Sequence, residues 1–136
     1  FGDTGYGMQL NATVVSGGDV DIDRNKIGKQ FILPGLGDSS NASFFYEDDK
    51  LTARIALNVR GETVAGFAAY DQPLYVAERQ QVDASVAYRF NDQASVFLEV
   101  QNLNDESTRL YVRHEEMLFL AQDHGPVYRF GFRYSL

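Results

Sequence analysis

The chain of 136 residues contains no cysteine. That absence excludes a disulfide framework and any thiolate metal site. Positive charge is also thin, with 12 Lys+Arg against 19 Asp+Glu and a formal net charge of -7. So acidic a chain is poorly suited to phosphate backbones, and nucleic acid is excluded as a partner. No apolar run approaches the roughly 20 residues that a membrane-spanning helix needs. No Gly-x-Ser-x-Gly elbow, Walker loop or His-Glu-x-x-His pattern is present, so no catalytic constellation stands out. A hydrolase would have to recruit scattered residues such as Ser107 and His114, and no enzymatic activity or cofactor is expected. The chain begins at Phe1 without a charged-then-apolar leader. The expectation is a removed leader or a segment of a longer polypeptide.

What is present is alternation. Hydrophobic residues make up 44% and aromatics 13%, all Tyr and Phe, while the mean hydropathy is -0.29. Six stretches alternate with period two: Tyr6 to Val15, Ala42 to Glu47, Leu51 to Arg60, Val82 to Phe90, Ala94 to Gln101 and Val127 to Leu136. Neighbouring strand residues point to opposite faces. One face is wholly apolar or aromatic, from Tyr6, Met8 and Leu10 through Phe44, Ile55, Val86 and Leu98 to Phe130 and Phe132. The other collects the strand charges, including Arg54, Arg60, Asp83, Arg89, Glu99, Arg129 and Arg133. A helix would need a 3.6-residue period, which no segment shows.

Two connections are tight turns, Glu47-Asp48-Asp49-Lys50 and Asn91-Asp92-Gln93, rich in turn formers. The other three are long, from about Ser16 to Asn41, Gly61 to Gln81 and Asn102 to Pro126. Short and long alternate strictly, the layout of an outer-membrane barrel with periplasmic turns and extracellular loops. Tyr6, Tyr46, Tyr88, Phe90, Tyr128 and Tyr134 fall near strand ends, where an aromatic girdle would sit. The competing architectures are a smaller passive porin or structural barrel and a soluble antiparallel sandwich binding module. The unbroken apolar face and one-sided long loops favour the membrane barrel.

The final stretch, Val127-Tyr-Arg-Phe-Gly-Phe-Arg-Tyr-Ser-Leu136, resembles the terminal strand of outer-membrane proteins, with Leu136 where Phe is usual. Gln81 to Asp92, followed by Glu99-Val-Gln-Asn-Leu-Asn-Asp-Glu106, resembles the closing strands of TonB-dependent receptors. There a strand ending in Asn-Leu-x-Asn/Asp precedes the last long loop. Leu33-Pro-Gly-Leu36, Asn41 to Glu47 and Leu51 to Arg60 are similar to the preceding hairpin of that family. The likeness covers most of the chain from Leu33 onward and rests on order and spacing.

The resemblance implies an all-β fold: about six antiparallel up-and-down strands from the C-terminal end of a transmembrane barrel of about 22 strands, its lumen closed by an upstream plug. It implies residence in a bacterial outer membrane and TonB-energised uptake of a scarce nutrient, a ferric siderophore, cobalamin or a carbohydrate. The Leu-Pro-Gly-Leu hairpin leans towards oligosaccharides. The implied partners are outer-membrane lipid, the TonB complex through the plug, the small nutrient and the barrel assembly machinery. The last would read Tyr128, Phe130, Phe132, Tyr134 and Leu136. A segment of six strands would leave two open edges and an apolar face, and so would need detergent, lipid or self-association.

The loop aromatics Phe67, Tyr70, Tyr75 and Tyr111 are candidates for stacking on a ligand, or else they pack the loops together. The charges Arg54, Arg60, Asp83, Arg89, Glu99, Arg129 and Arg133 are candidates for lumen or plug contacts, or else pair across strands. Asp19-Val-Asp-Ile-Asp-Arg-Asn25 looks like a calcium loop, but Arg24 occupies the position of the turn glycine and Gln30 that of the bidentate Glu. His114, Glu115, Glu116 and His124 match no metal motif, so no metal is assigned. The Asn-x-Ser/Thr triplets at Asn11 and Asn41 lie at or beside strands and are read as chance.

Overall fold

A computed structural model describes residues 5–16 and 22–135. Six strands, β1 (Tyr6–Thr13), β2 (Ser39–Glu47), β3 (Leu51–Arg60), β6 (Arg79–Arg89), β7 (Ala94–Gln101) and β10 (Val127–Tyr134), form one antiparallel sheet. Its order is β1-β2-β3-β6-β7-β10, so each of these strands pairs with the next along the chain. The six alternating stretches all become strands.

The register carries the two faces across the whole sheet. One row runs Met8, Phe44, Ile55, Ala84, Val100, Tyr128, and the next Tyr6, Tyr46, Ala53, Val86, Leu98, Phe130. Between them lies the row Gly7, Phe45, Arg54, Ser85, Glu99, Arg129 on the opposite face. Apolar residues therefore sit opposite apolar ones in every hairpin, the pairing that stabilises sheets. Apart from Val100, which is buried, the apolar face is largely uncovered: Met8, Leu10, Phe44 and Ile55 are exposed, and Phe130 retains 73% of its accessible surface. The sheet does not close among the described residues, with β1 and β10 as its two edges.

Strand ends follow their partners. β1 stops at Thr13, short of the expected Val15, because Thr13 pairs with Ser39, the first residue of β2. Beyond that point Val15 donates its amide to the Asp38 carboxylate at 2.9 Å. β2 and β6 start three residues earlier than the alternation marks, since Ser39, Ser40, Gln80 and Arg79 continue the ladders beside β3.

Two of the expected long loops are not irregular. They contain β4 (Thr63–Ala68), β5 (Gln72–Val76), β8 (Thr108–Val112) and β9 (Leu118–Gln122), paired as a second sheet of order β4-β5-β8-β9. That order mirrors β3-β6-β7-β10, so the β3–β6 and β7–β10 pairs of the large sheet lead into the β4–β5 and β8–β9 hairpins across residues 61–62, 77–78, 102–107 and 123–126. Bulges at Gly66 and at Leu110/Tyr111, together with Pro73 inside β5, interrupt these strands. These features spoil the alternation by which strands are recognised.

The polar face carries two close aromatic contacts. Gly7 pairs with Phe45 and Gly131 with Phe97, and in each case the ring lies over the glycine. A Cβ on Gly131 would come within 2.2 Å of the Phe97 ring, and one on Gly7 equally near Phe45. Such aromatic cover compensates for the missing side chain of a strand glycine. Gly131→Ala is therefore expected to cost about 1–3 kcal/mol by overpacking. In the double variant Gly131→Ala/Phe97→Ala the two losses should fall short of additive. Urea unfolding in detergent reads both; a neutral Gly131→Ala would mean that the Phe97 ring does not stabilise the glycine.

The β2–β3 turn is closed by Asp48, whose Oδ1 accepts the Lys50 and Leu51 amides at 2.7 Å and whose Oδ2 accepts the Tyr46 hydroxyl at 2.7 Å. The Tyr46 hydroxyl and then these amides hold the carboxyl below its usual 3.8. A carboxylate with a depressed folded-state pKa contributes stability above its unfolded value and loses it as pH falls through the folded one. Acid titration of the hairpin should thus show a loss below pH 3.8 that Asp48→Asn lacks.

Candidate functional site

The charged candidates share the polar face of the large sheet. Glu99 accepts from Arg129 Nη1 at 2.8 Å, the one cross-strand ion pair among the described residues of that face. Asp83 is held by neutral donors: Asn58 Nδ2 at 2.9 Å, Gln81 Nε2 at 2.8 Å and the Asn102 amide at 3.0 Å. Arg54 stands between Phe45 and Ser85. Arg89 and Arg133 both face Ser95 at the short-turn end. Arg60 lies at the other end, directly opposite Arg79.

Where the large sheet passes into the small one, the Asn-Leu-Asn-Asp segment acts as a clamp. Asn102 and Asp105 adopt positive φ, 58° and 56°. Asn102 Oδ1 accepts the Glu106 amide at 2.8 Å, and its Nδ2 donates to the Glu106 and Gly125 carbonyls. Asn104 takes the Val82 amide at 2.8 Å and donates to the Gln80 carbonyl at 2.7 Å. Two asparagines thus tie β6 to both ends of the last excursion. Asn suits the site because its short amide bonds nearby backbone and tolerates left-handed φ.

The four loop aromatics divide. Tyr70 is 84% exposed at the tip of the β4–β5 hairpin and Phe67 is partly exposed. Tyr75 and Tyr111 are instead packed into the small sheet, at 4% and 2% exposure, stacked at 5.4 Å with planes 16° apart. The Arg24 guanidinium lies 4.3 Å over the Tyr75 ring, a cation–π contact worth about 0.5–2 kcal/mol. Arg24 also pairs with Glu62, which accepts the Tyr111 hydroxyl as well. Arg113 Nε returns to the Arg24 carbonyl at 2.7 Å. Burial holds the Tyr75 hydroxyl above its usual 10.0; Arg24 pulls it down and Glu62 pushes it up. These two tyrosines consequently serve cohesion, and of the four only Tyr70 and Phe67 are open to solvent.

The Arg24 network was not visible in the sequence, because Arg24, Glu62 and Arg113 lie in segments without periodicity. Arg24 belongs to the segment that resembled a calcium loop. Its described part is a turn in which Asp23 Oδ1 accepts the Asn25 amide at 2.9 Å and Gln30 accepts the Asp23 amide at 3.0 Å. Asp19 and Asp21 lie outside the described residues, as does Leu136 of the terminal signal. Tyr128, Phe130, Phe132 and Tyr134 project from the apolar face of the edge strand β10, all exposed. Among the described residues no three His, Cys, Asp or Glu side chains converge as a metal site would need.

No protein-family model, curated protein or solved structure matches the chain.

Removing Glu62 leaves the Tyr111 hydroxyl and Arg24 without their shared acceptor, a loss of about 1–3 kcal/mol. In Glu62→Ala the 22–37 segment should lift from the small sheet. Cleavage after Lys26 and Lys29 by a lysine-specific protease should then rise roughly tenfold. Unchanged cleavage would mean that the segment is held by other contacts.

Proposed function

We propose that this chain is a wall segment of a TonB-dependent receptor in a bacterial outer membrane, the C-terminal portion of a barrel of about 22 strands. The observation that carries the reading is the apolar face, continuous over six hydrogen-bonded strands and left uncovered by protein. Lipid is the solvent such a face fits, since a barrel alternates lipid-facing and lumen-facing residues. β3 and β6 are 10 and 11 residues long, against the roughly 9–11 residues of a tilted spanning strand.

Three further features support it. Tyr6, Tyr46, Tyr88, Phe90 and Tyr134 collect at the short-turn end, with Tyr6 4.8 Å from Tyr46 and Tyr88 5.2 Å from Phe90. They form a border suited to the headgroup level. The small sheet extends the hairpins at the opposite end only, where extracellular loops would stand. The apolar face of the large sheet is left exposed and not covered by the small one, so the two sheets are not the facing layers of a sandwich. In this reading the polar face lines the lumen beside a plug, the two edges join the rest of the barrel wall, and Tyr70 and Phe67 face the nutrient.

Insertion into lipid vesicles tests the faces. Val86→Arg or Leu98→Arg should cost roughly 2–4 kcal/mol near the midplane, whereas Ser85→Arg, on the opposite face, should be mild. Equal tolerance at Val86 and Ser85 would defeat the membrane assignment. The receptor assignment is tested in the producing cells, where nutrient uptake through the parent polypeptide should stop when TonB is removed.

A further inference from the structure

At the junction of the two sheets lies a cleft of about 460 Å³, lined by Gly35, Gly37, Asp38, Arg60, Gly61 and Arg79 among others. Arg60 ends β3 and Arg79 begins β6, and the ladder sets them directly opposite each other. Like charges in that relation are destabilising. Among the described residues no carboxylate lies within 4.0 Å of either guanidinium. In a chain with 19 acidic and 12 basic residues, two facing arginines without such a partner stand out.

The surroundings favour an anion over closure of the cleft. Arg79 Nη1 donates to Thr108 Oγ1 at 3.1 Å, which fixes one guanidinium while leaving its other donors free. Asp38 is the only acid among the described residues of the lining; its Oδ1 accepts the Val15 amide and its carbonyl accepts the Gly61 amide at 2.9 Å. The lining thus carries two guanidiniums and one carboxylate, whose Oδ1 is engaged by a backbone amide. Gly35 and Gly37 place no side chain in the space, and at Gly37 a Cβ would meet Thr63 at 2.3 Å. Planar guanidiniums bind oxyanions through paired donors, with a strength neutral groups do not match.

We propose that this cleft binds a small oxyanion, a carboxylate or phosphate group of a solute, between Arg60 and Arg79. The site is defined by the junction itself and does not require the membrane reading. If the chain is a receptor wall, the site lies at the mouth of the lumen and makes an anionic solute the class recognised there.

The test is titration of the protein in detergent micelles with citrate and, separately, with inorganic phosphate, followed by calorimetry. At least one of them should bind, and which one distinguishes a carboxylate from a phosphate site. Arg60→Gln and Arg79→Gln should each weaken binding about tenfold or more, while Lys50→Gln in the distant β2–β3 turn leaves it unchanged. Urea unfolding supplies a second readout. Without anion each arginine variant should be as stable as the parent or more so, because a like-charge contact is relieved. Added anion should raise the midpoint of the parent but not of the variants. Equal binding by parent and folded arginine variants, or no binding of either anion by the folded parent, would overturn the proposal. Vesicle insertion of the same variants reads the membrane assignment independently.

Discussion

Register is the constraint on which the rest of the structure depends. With a side-chain period of two, a slip of one residue in any hairpin moves its entire apolar set to the other face. In β3 and β6 such a slip would bring Arg54 or Asp83 in among Ile55, Val86 and Leu98. The observed ladders avoid this in all five pairings of the large sheet, and the two tight turns set the start of two of them. Because so few side chains are buried, the fold is not organised by a conventional core. Backbone ladders and same-face neighbours supply the cohesion, and the apolar face is left for whatever solvent the protein meets.

The polar face is held differently. Its charges are mostly not neutralised across strands: Glu99 and Arg129 pair, Asp83 is satisfied by amides, and Arg60 faces Arg79. A protein that packed this face against its own core would leave ions buried and unpaired, at high cost. A hydrated or ligand-bearing surface tolerates them. The two Phe–Gly pairs lie on the same side, where an aromatic ring makes up for an absent side chain without adding charge.

The small sheet and the clamp at Asn102 and Asn104 convert what would be floppy excursions into an ordered end of the molecule. The β3–β6 and β7–β10 pairs of the large sheet are prolonged, and the Arg24–Glu62–Tyr111 network fastens the β1–β2 connection across the small sheet. This ordered end brings Gly35, Asp38, Arg60 and Arg79 together from three separate segments. The features that invite binding therefore concentrate at one pole, and the tight turns and aromatic border at the other.

The six long strands, their two faces and the two tight turns are written locally in the amino-acid order. Period-two alternation and turn chemistry are local properties, readable within ten residues, and both faces of each ladder follow from them. The Asn-Leu-Asn-Asp segment was visible as a pattern, though its role as a clamp was not. Tertiary structure made two long connections into a second sheet, because Pro73 and the bulges at Gly66 and Leu110/Tyr111 erase alternation and pairing supplies the order instead. It also decided that Tyr75 and Tyr111 turn inward while Tyr70 stays exposed. The meeting of Arg24 with Glu62, and of Arg60 with Arg79, was equally out of reach. Those partners lie 38 and 19 positions apart, and a side chain's distant neighbour is fixed by how the ladders align, which no local pattern encodes.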